Sequence, residues 1–329
     1  MSKPRVLVTR RIPQPGLDLL APYVEMDLNS DDGALSRSDL IKRIGNVEGL
    51  LCLLTDVVDA EIMSRAPRLR AISNYAVGFN NIDIPEATRR GISVANTPGV
   101  LTETTADLAW ALLMSAARRV VEADRFTREG RFESWDPMLM LGADVYGKTL
   151  GIIGLGRIGQ AVARRARGFD MSVVYYSDPR LSAEEENSLG ASFASMETLL
   201  RESDFISLHV PLTPCTRHLI GEKQFKMMKP TAVLVNTARG PVVDERALVQ
   251  ALRNGVIGAA GLDVYENEPE LAEGLAECPN AVLLPHIASA SVETRANMAT
   301  MAAGNLLAML KGRHTENIVN PEFLRNRPV

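Results

Sequence analysis

Apolar positions in the first hundred residues fall into short runs separated by stretches with helical spacing. Residues 6–8, 50–54, 69–73 and 92–95 predict strands. Between them, residues 38–44, 59–65 and 84–90 set apolar side chains three and four apart with charges on the outer face, predicting helices. This alternation predicts βαβ units on a parallel sheet. Residues 108–117 are apolar on nearly every side, so this helix is expected to be buried all round, between domains or against a second subunit. Thr104 and Asp107 are expected to cap it. A linker with Trp135, Pro137, Gly142, Tyr146 and Gly147 follows. Six strands are then predicted, at residues 149–153, 172–176, 205–210, 232–235, 258–263 and 281–284, with helices between them such as 195–202 and 245–253. Right-handed crossovers make six such strands a doubly wound sheet. Residues 291–311 read as one long helix returning toward the first domain.

A chain of 329 residues suits two domains. With 46% apolar and 23% charged residues it reads as a soluble globular protein. The longest nearly apolar stretch, 106–117, is interrupted by Asp107 and Ser115 and is too short to span a bilayer. A formal charge of −4 gives no footprint for nucleic acid, and Arg164, Arg165 and Arg167 read as a solvated helix face. Cys52, Cys215 and Cys278 lack metal or disulfide spacing, and no apolar leader follows Met1. Together these predict reduced thiols and a cytoplasmic location.

Chemistry enters at residues 150–159. A predicted strand runs into Gly154-Leu-Gly156-Arg157-Ile158-Gly159 and then into a helix. Gly154 allows the tight turn, Gly156 lets a pyrophosphate approach the backbone, and Gly159 lets helix pack on strand. The helix N-terminus then offers N–H groups to phosphate. Asp178 stands nineteen residues after Gly159, the spacing of the acid that binds the adenosine ribose. A dinucleotide cofactor on a Rossmann-type domain is therefore expected. Asp178 favours NAD by repelling a 2′-phosphate. Arg180, two residues on, is placed to accept one, so NADP stays open. Gly142-x-x-x-x-Gly147-Lys148-Thr149 matches a phosphate-loop pattern, but it precedes its strand instead of following one, and Lys148 reads as a surface residue.

Arg239, Glu268 and His286 follow three late strands, at the sheet edge where ligands bind in this architecture. A 2-oxo acid reduction needs these three types. A guanidinium grips the carboxylate and carbonyl oxygen. An imidazolium delivers the proton. A carboxylate orients that imidazole and favours its charged form. His209 ends a strand near the glycine motif, whereas His218 and His314 read as solvated loop residues.

The order and spacing of Asn74–Asp83, Gly154–Gly159, Asn236–Asp244, Gly261–Pro269 and Pro285–Ser289 resemble the D-isomer-specific 2-hydroxyacid dehydrogenases over essentially the whole chain. Within that family, residues 135–142 and 144–151 are most similar to glyoxylate/hydroxypyruvate reductases. The resemblance implies a smaller flavodoxin-like α/β substrate domain from residues 1–99 and 289–329, and a coenzyme domain from 100–288. It implies that the N–H groups of Val77 and Gly78 hold the substrate carboxylate and that Leu53 touches the substrate side chain. Val210, Thr237, Ala238, Asp263 and Ala288 would line the nicotinamide side. It further implies a homodimer with Trp135 near the partner's substrate site. Ala288 stands where many relatives have Gly, and Asp178 where many NADP-using relatives have Arg. Alternatives are a phosphoglycerate, 2-ketogluconate or phosphite dehydrogenase, or an NAD-sensing binding protein on the same fold.

Overall fold

The computed structural model describes residues 2–31 and 33–326; Met1, Asp32 and residues 327–329, which include both outer ends of the expected substrate domain, lie outside the described residues. The chain divides into two units, Met1–Leu101 with Ala290–Val329, and Thr102–Ser289.

The first unit carries β1 (Arg5–Val8), α1 (Gln14–Leu20), β2 (Glu25–Leu28), α2 (Arg37–Ile44), β3 (Gly49–Cys52), α3 (Ala60–Ser64), β4 (Ala71–Asn74), α4 (Ile84–Arg89) and β5 (Ser93–Ala95). Its sheet runs β2-β1-β3-β4-β5 with every pairing parallel, the flavodoxin-like order. Both β3 and β4 are buried at every position, as strands covered on both faces must be. Ser36, Asp59 and Asp83 start α2, α3 and α4 by accepting the N–H groups of Asp39, Ile62 and Glu86. The last helix, Val292–Leu310, does return to this unit. Ala302 O accepts the Ser73 hydroxyl at 2.8 Å, and Asn305 donates to Asn96 O at 2.9 Å. Strand β2 has no sequence signal because it is an edge strand with two acids in four residues and no buried position. Helix α1 is hidden by Pro13 and Pro15.

The second unit carries α5 (Thr102–Ala117), α6 (Val120–Arg128), β6 (Thr149–Ile153), α7 (Arg157–Ala166), β7 (Ser172–Tyr176), α8 (Ala183–Leu189), β8 (Ala191–Phe193), α9 (Met196–Glu202), β9 (Phe205–Leu208), α10 (Glu222–Phe225), β10 (Val233–Asn236), α11 (Glu245–Arg253), β11 (Ala259–Leu262) and β12 (Ala281–Leu283). Its parallel sheet runs β12-β11-β10-β9-β6-β7-β8, so strand order reverses at β6. Seven strands stand where six were predicted. The addition, β8, has three residues at the sheet edge and only Ala191 buried.

Helix α5 corrects two expectations. It begins at Thr102, so Thr104 lies inside the first turn rather than at the cap. Arg164 and Arg167 are exposed, as expected, and two of the three arginines pair with the acids of α5: Arg164 reaches Glu103 at 2.8 Å and half-buried Arg165 reaches Asp107 at 2.7 Å. The helix is not buried all round: Asp107 and Ala111 are exposed and Leu108, Met114 and Ser115 half-buried, while the opposite face is covered within the second unit. Trp110 stacks on Phe169 with ring centroids 4.7 Å apart and donates its indole N–H to Val162 O at 3.1 Å. Leu112 closes on Gly261 of β11. Large apolar side chains are exposed further on, at Phe132 (56% exposed), Trp135 (80%), Met138 (70%) and Leu141 (58%). Lys148 is exposed ahead of β6, as expected. Among the described residues, no helix is long and apolar enough to cross a membrane, no acid, His or Cys cluster suits a metal ion, and all three cysteines are free.

Candidate active site

The C-terminal ends of the second unit's strands carry every group that sequence singled out in this region. At β6 the chain turns through Gly154 at φ +94°, a conformation that favours glycine. A Cβ there would stand 2.7 Å from the backbone carbon of His209, and one at Gly159 would stand 2.2 Å from Gly154 O. The turn is thus pressed between α7 and the end of β9, while a Cβ at Gly156 would meet open space. Gly156 and Arg157 are exposed at the start of α7, with Ile158 half-buried. Gly154 N–H donates to Tyr176 O at 2.8 Å, joining the turn to the end of β7. Asp178 follows two residues later and is exposed. A buried Thr237 hydroxyl, just past β10, has no hydrogen-bond partner. An open glycine turn, a helix N-terminus and an unpartnered hydroxyl fit a dinucleotide. Val210 and Ala238 are half-buried and Ala288 is buried on the neighbouring loops.

Arg239, Glu268 and His286 sit on the loops after β10, β11 and β12. His286 Nδ1 lies 2.8 Å from Glu268 Oε2. Burial opposes ionisation of Glu268, but the His286 hydrogen bond and charge, the Tyr265 N–H and the Arg239 charge outweigh it and hold the carboxyl below its ordinary value. Burial also lowers the Arg239 pKa, against the pull of Glu268; a guanidinium stays cationic regardless.

The three loops are fixed by groups that the sequence reading did not name as positioning residues. Asn236 accepts Ala238 N–H and donates to Arg239 O, each at 3.0 Å. Gly240 lies so close to Tyr265 that a Cβ would fall 1.8 Å from its carbonyl carbon, which locks the Arg239 loop onto the Glu268 loop. Tyr265 donates its hydroxyl to Leu284 O at 2.9 Å. Buried Glu245, at the start of α11, accepts the N–H groups of Glu266 and Ala272. Asp263, expected to line the nicotinamide side, accepts Ile287 N–H and Ala288 N–H at 2.7 Å each, one on each oxygen. A buried acid directly after an apolar strand was the available signal for that anchor.

The remaining histidines divide. His209 is bonded to Ser207 Oγ at 2.8 Å, and burial pushes its pKa down to about 3, so it is neutral. His218 is exposed on its loop, as expected, and its Nε2 meets Glu266 at 2.6 Å. His314 is exposed, as expected.

In the first unit, Val77 and Gly78 follow β4. Their carbonyl oxygens accept from Asn96 at 2.7 Å and Asn74 at 2.8 Å. Leu53, after β3, is fixed by N–H donation to Asp56 at 2.8 Å and by Asn81 on its carbonyl at 3.0 Å.

The family model described as "D-isomer specific 2-hydroxyacid dehydrogenase, NAD binding domain" matches residues 110–288. The chain belongs to the D-isomer specific 2-hydroxyacid dehydrogenases. Among members of this dehydrogenase family, the glyoxylate reductase of Korarchaeum cryptofilum is 56% identical over 99% of this chain and 98% of its own length. The crystal structure of a protein from Thermus thermophilus is 47% identical, with a TM-score of 0.88 over 96% of this chain and 99% of that one. An NADPH-dependent glyoxylate/hydroxypyruvate reductase from Sinorhizobium meliloti, solved with NADP and malonate, is 34% identical with a TM-score of 0.87 over the full length of both chains. The dehydrogenase fold expected from the sequence, a doubly wound sheet beside a smaller α/β unit, is the one these relatives share.

Proposed function

We propose that this dehydrogenase reduces glyoxylate or hydroxypyruvate to the D-2-hydroxy acid with a reduced nicotinamide dinucleotide. The observation that carries the reading is the His286–Glu268 pair at 2.8 Å, with the charge of half-buried Arg239 acting on the same carboxylate.

The nicotinamide, when bound, supplies the hydride. The residues then have separate tasks. Gly154, Gly156 and the N-terminus of α7 at Arg157, Ile158 and Gly159 would hold the pyrophosphate, and Asp178 the adenosine ribose. Thr237 would gain a hydrogen-bond partner, with Val210, Ala238 and Ala288 beside the nicotinamide. Arg239 would bind the substrate carboxylate and polarise its carbonyl. Glu268 holds Nδ1 of His286, leaving Nε2–H of the imidazolium to protonate the oxygen that becomes the hydroxyl. Asp263 keeps that histidine's loop in place. Val77 and Gly78 have carbonyls already bonded, while their N–H groups have no acceptor among the described residues; this suits an incoming carboxylate. Leu53 would meet the small substrate side chain. In this scheme the first unit is the substrate domain and the second the coenzyme domain.

NAD is the coenzyme we favour, because exposed Asp178 opposes a 2′-phosphate. We also propose a homodimer formed through the exposed apolar segment around Trp135, and a cytoplasmic location, which the free exposed Cys215 suits. A panel of 2-oxo acids with NADH and NADPH, followed at the nicotinamide absorbance, tests the reading. Turnover of glyoxylate or hydroxypyruvate is expected; turnover confined to phosphorylated, sugar-acid or phosphite substrates, or none, defeats it.

A further inference from the structure

The loop between β7 and α8 carries two residues of opposite meaning for a ribose 2′-position. Asp178 repels a phosphate there and Arg180 attracts one. Arg180, however, is already engaged. Its Nε and Nη2 donate to the two oxygens of Glu186 at 2.7 and 2.9 Å. Its guanidinium carbon also lies 4.9 Å from the centre of the Phe193 ring. A planar fork held bidentately on a carboxylate and resting on an aromatic face has little freedom to leave.

Glu186 is itself fixed. It accepts the Tyr175 hydroxyl at 2.6 Å, and that hydroxyl accepts Leu181 N–H at 3.1 Å, closing a ring of contacts from β7 through the loop to α8. Ser182 and Glu185 form a capping box at the start of α8, which sets the turn on which Glu186 stands. The Arg180 and Tyr175 hydrogen bonds hold the Glu186 carboxyl near a pKa of about 2, so the pair stays charged across the working range. The loop begins directly after Tyr176, whose carbonyl takes the Gly154 N–H of the glycine turn at 2.8 Å.

We infer that Glu186 is a coenzyme-specificity residue: by holding Arg180 against Phe193, it withholds the one loop cation that would bind a 2′-phosphate and leaves Asp178 to set the preference. The inference rests on the dinucleotide reading of this site. Glu186 does not touch the coenzyme in this scheme; it acts through Arg180.

Equilibrium binding of 5′-AMP and of adenosine 2′,5′-bisphosphate to the intact protein, by calorimetry, reads the effect without turnover. In Glu186→Gln, which keeps the shape and the Tyr175 contact but removes the charge, affinity for the bisphosphate relative to 5′-AMP should rise about tenfold, the scale of one charge-assisted hydrogen bond. Adding Arg180→Gln should abolish that gain. Arg180→Gln alone should leave the ratio within about twofold of wild type, since the guanidinium is already held elsewhere. An unchanged ratio in a Glu186→Gln protein that binds 5′-AMP normally overturns the inference, as does a gain that survives removal of Arg180. A large loss of bisphosphate binding in Arg180→Gln alone also overturns it and needs no Glu186 variant. Failure of the wild type to bind either 5′-AMP or NADH would instead defeat the coenzyme reading.

Discussion

The Glu268 carboxylate and the His286 imidazole meet at 2.8 Å although 18 residues and strand β12 separate them. Neither side chain arrives there by its own flexibility. Tyr265 N–H takes one oxygen of Glu268, and Asp263 takes the two N–H groups that follow His286. Hydrogen bonds between two successive loops, those after β11 and β12, thus set the ring's orientation before any ligand arrives.

Removing the imidazole tests proton delivery. His286→Ala should lower kcat by about 10²–10⁴, the range for losing a positioned general acid. NADH binding, measured by fluorescence titration, should change little. Near-normal turnover would eliminate His286 as the acid.

The Glu268 partner should show itself in the pH profile. Its pKa lies below the ordinary carboxylate value, so the carboxylate is charged at neutral pH and favours the imidazolium. Glu268→Gln removes that charge beside Nδ1, and the alkaline limb of glyoxylate reduction should move downward. The linked stability has the opposite pH sense. A depressed carboxyl pKa adds stability above the unfolded value and loses it as pH falls through the folded value. The melting-temperature deficit of Glu268→Gln should therefore shrink in acid. A limb that stays in place would show that Glu268 does not tune His286.

Coenzyme preference turns first on Asp178. Asp178→Ala should weaken NADH binding and improve NADPH relative to it, read as the ratio of kcat/KM for the two. A wild type that already prefers NADPH would mean that Asp178 does not set the choice.

Much of this arrangement was legible in the chain, for identifiable reasons. Glycine at 154, 156 and 159 after an apolar strand leaves few other geometries open. Arg239, Glu268 and His286 each follow a strong apolar strand, and all three strands are in place. What escaped was short, polar or at an edge. Strand β8 has one buried residue, and β2 has none. The pairing of His218 with Glu266 joins loops 48 residues apart, which no local pattern encodes. The α5 helix reads in sequence as buried all round, but only one face is covered inside its own unit and Ala111 on the other is exposed. Periodicity reports that a surface is apolar, not what covers it.

The segment after α6 also carries exposed apolar surface that suits the expected dimer contact. Phe132, Trp135, Met138 and Leu141 expose more apolar surface than a short loop ordinarily leaves to water. Sedimentation at micromolar concentration should give a dimer, and changing Trp135 and Met138 together to Ser should shift it toward monomer. A wild-type monomer would remove the proposal. Trp135→Ala alone should raise the KM for the 2-oxo acid if the indole reaches the partner's substrate site, and an unchanged KM would leave it a packing role.

The hydrogen bond from Ser73 to Ala302 spans 229 residues of chain. On a ribosome adding about 5–20 residues each second, the strands of the first unit are complete roughly 10–45 s before the helix that covers them exists. By the end of that interval all of the second unit's strands, residues 149–283, have been made, and that unit can close its own core. The protein is therefore born from the middle outward: its first-made part is its last to finish. Protease challenge of chains stalled near residue 290 should find residues 102–289 resistant and residues 1–101 cut, and protection of the early residues at that stage would show that their sheet closes without the final helix.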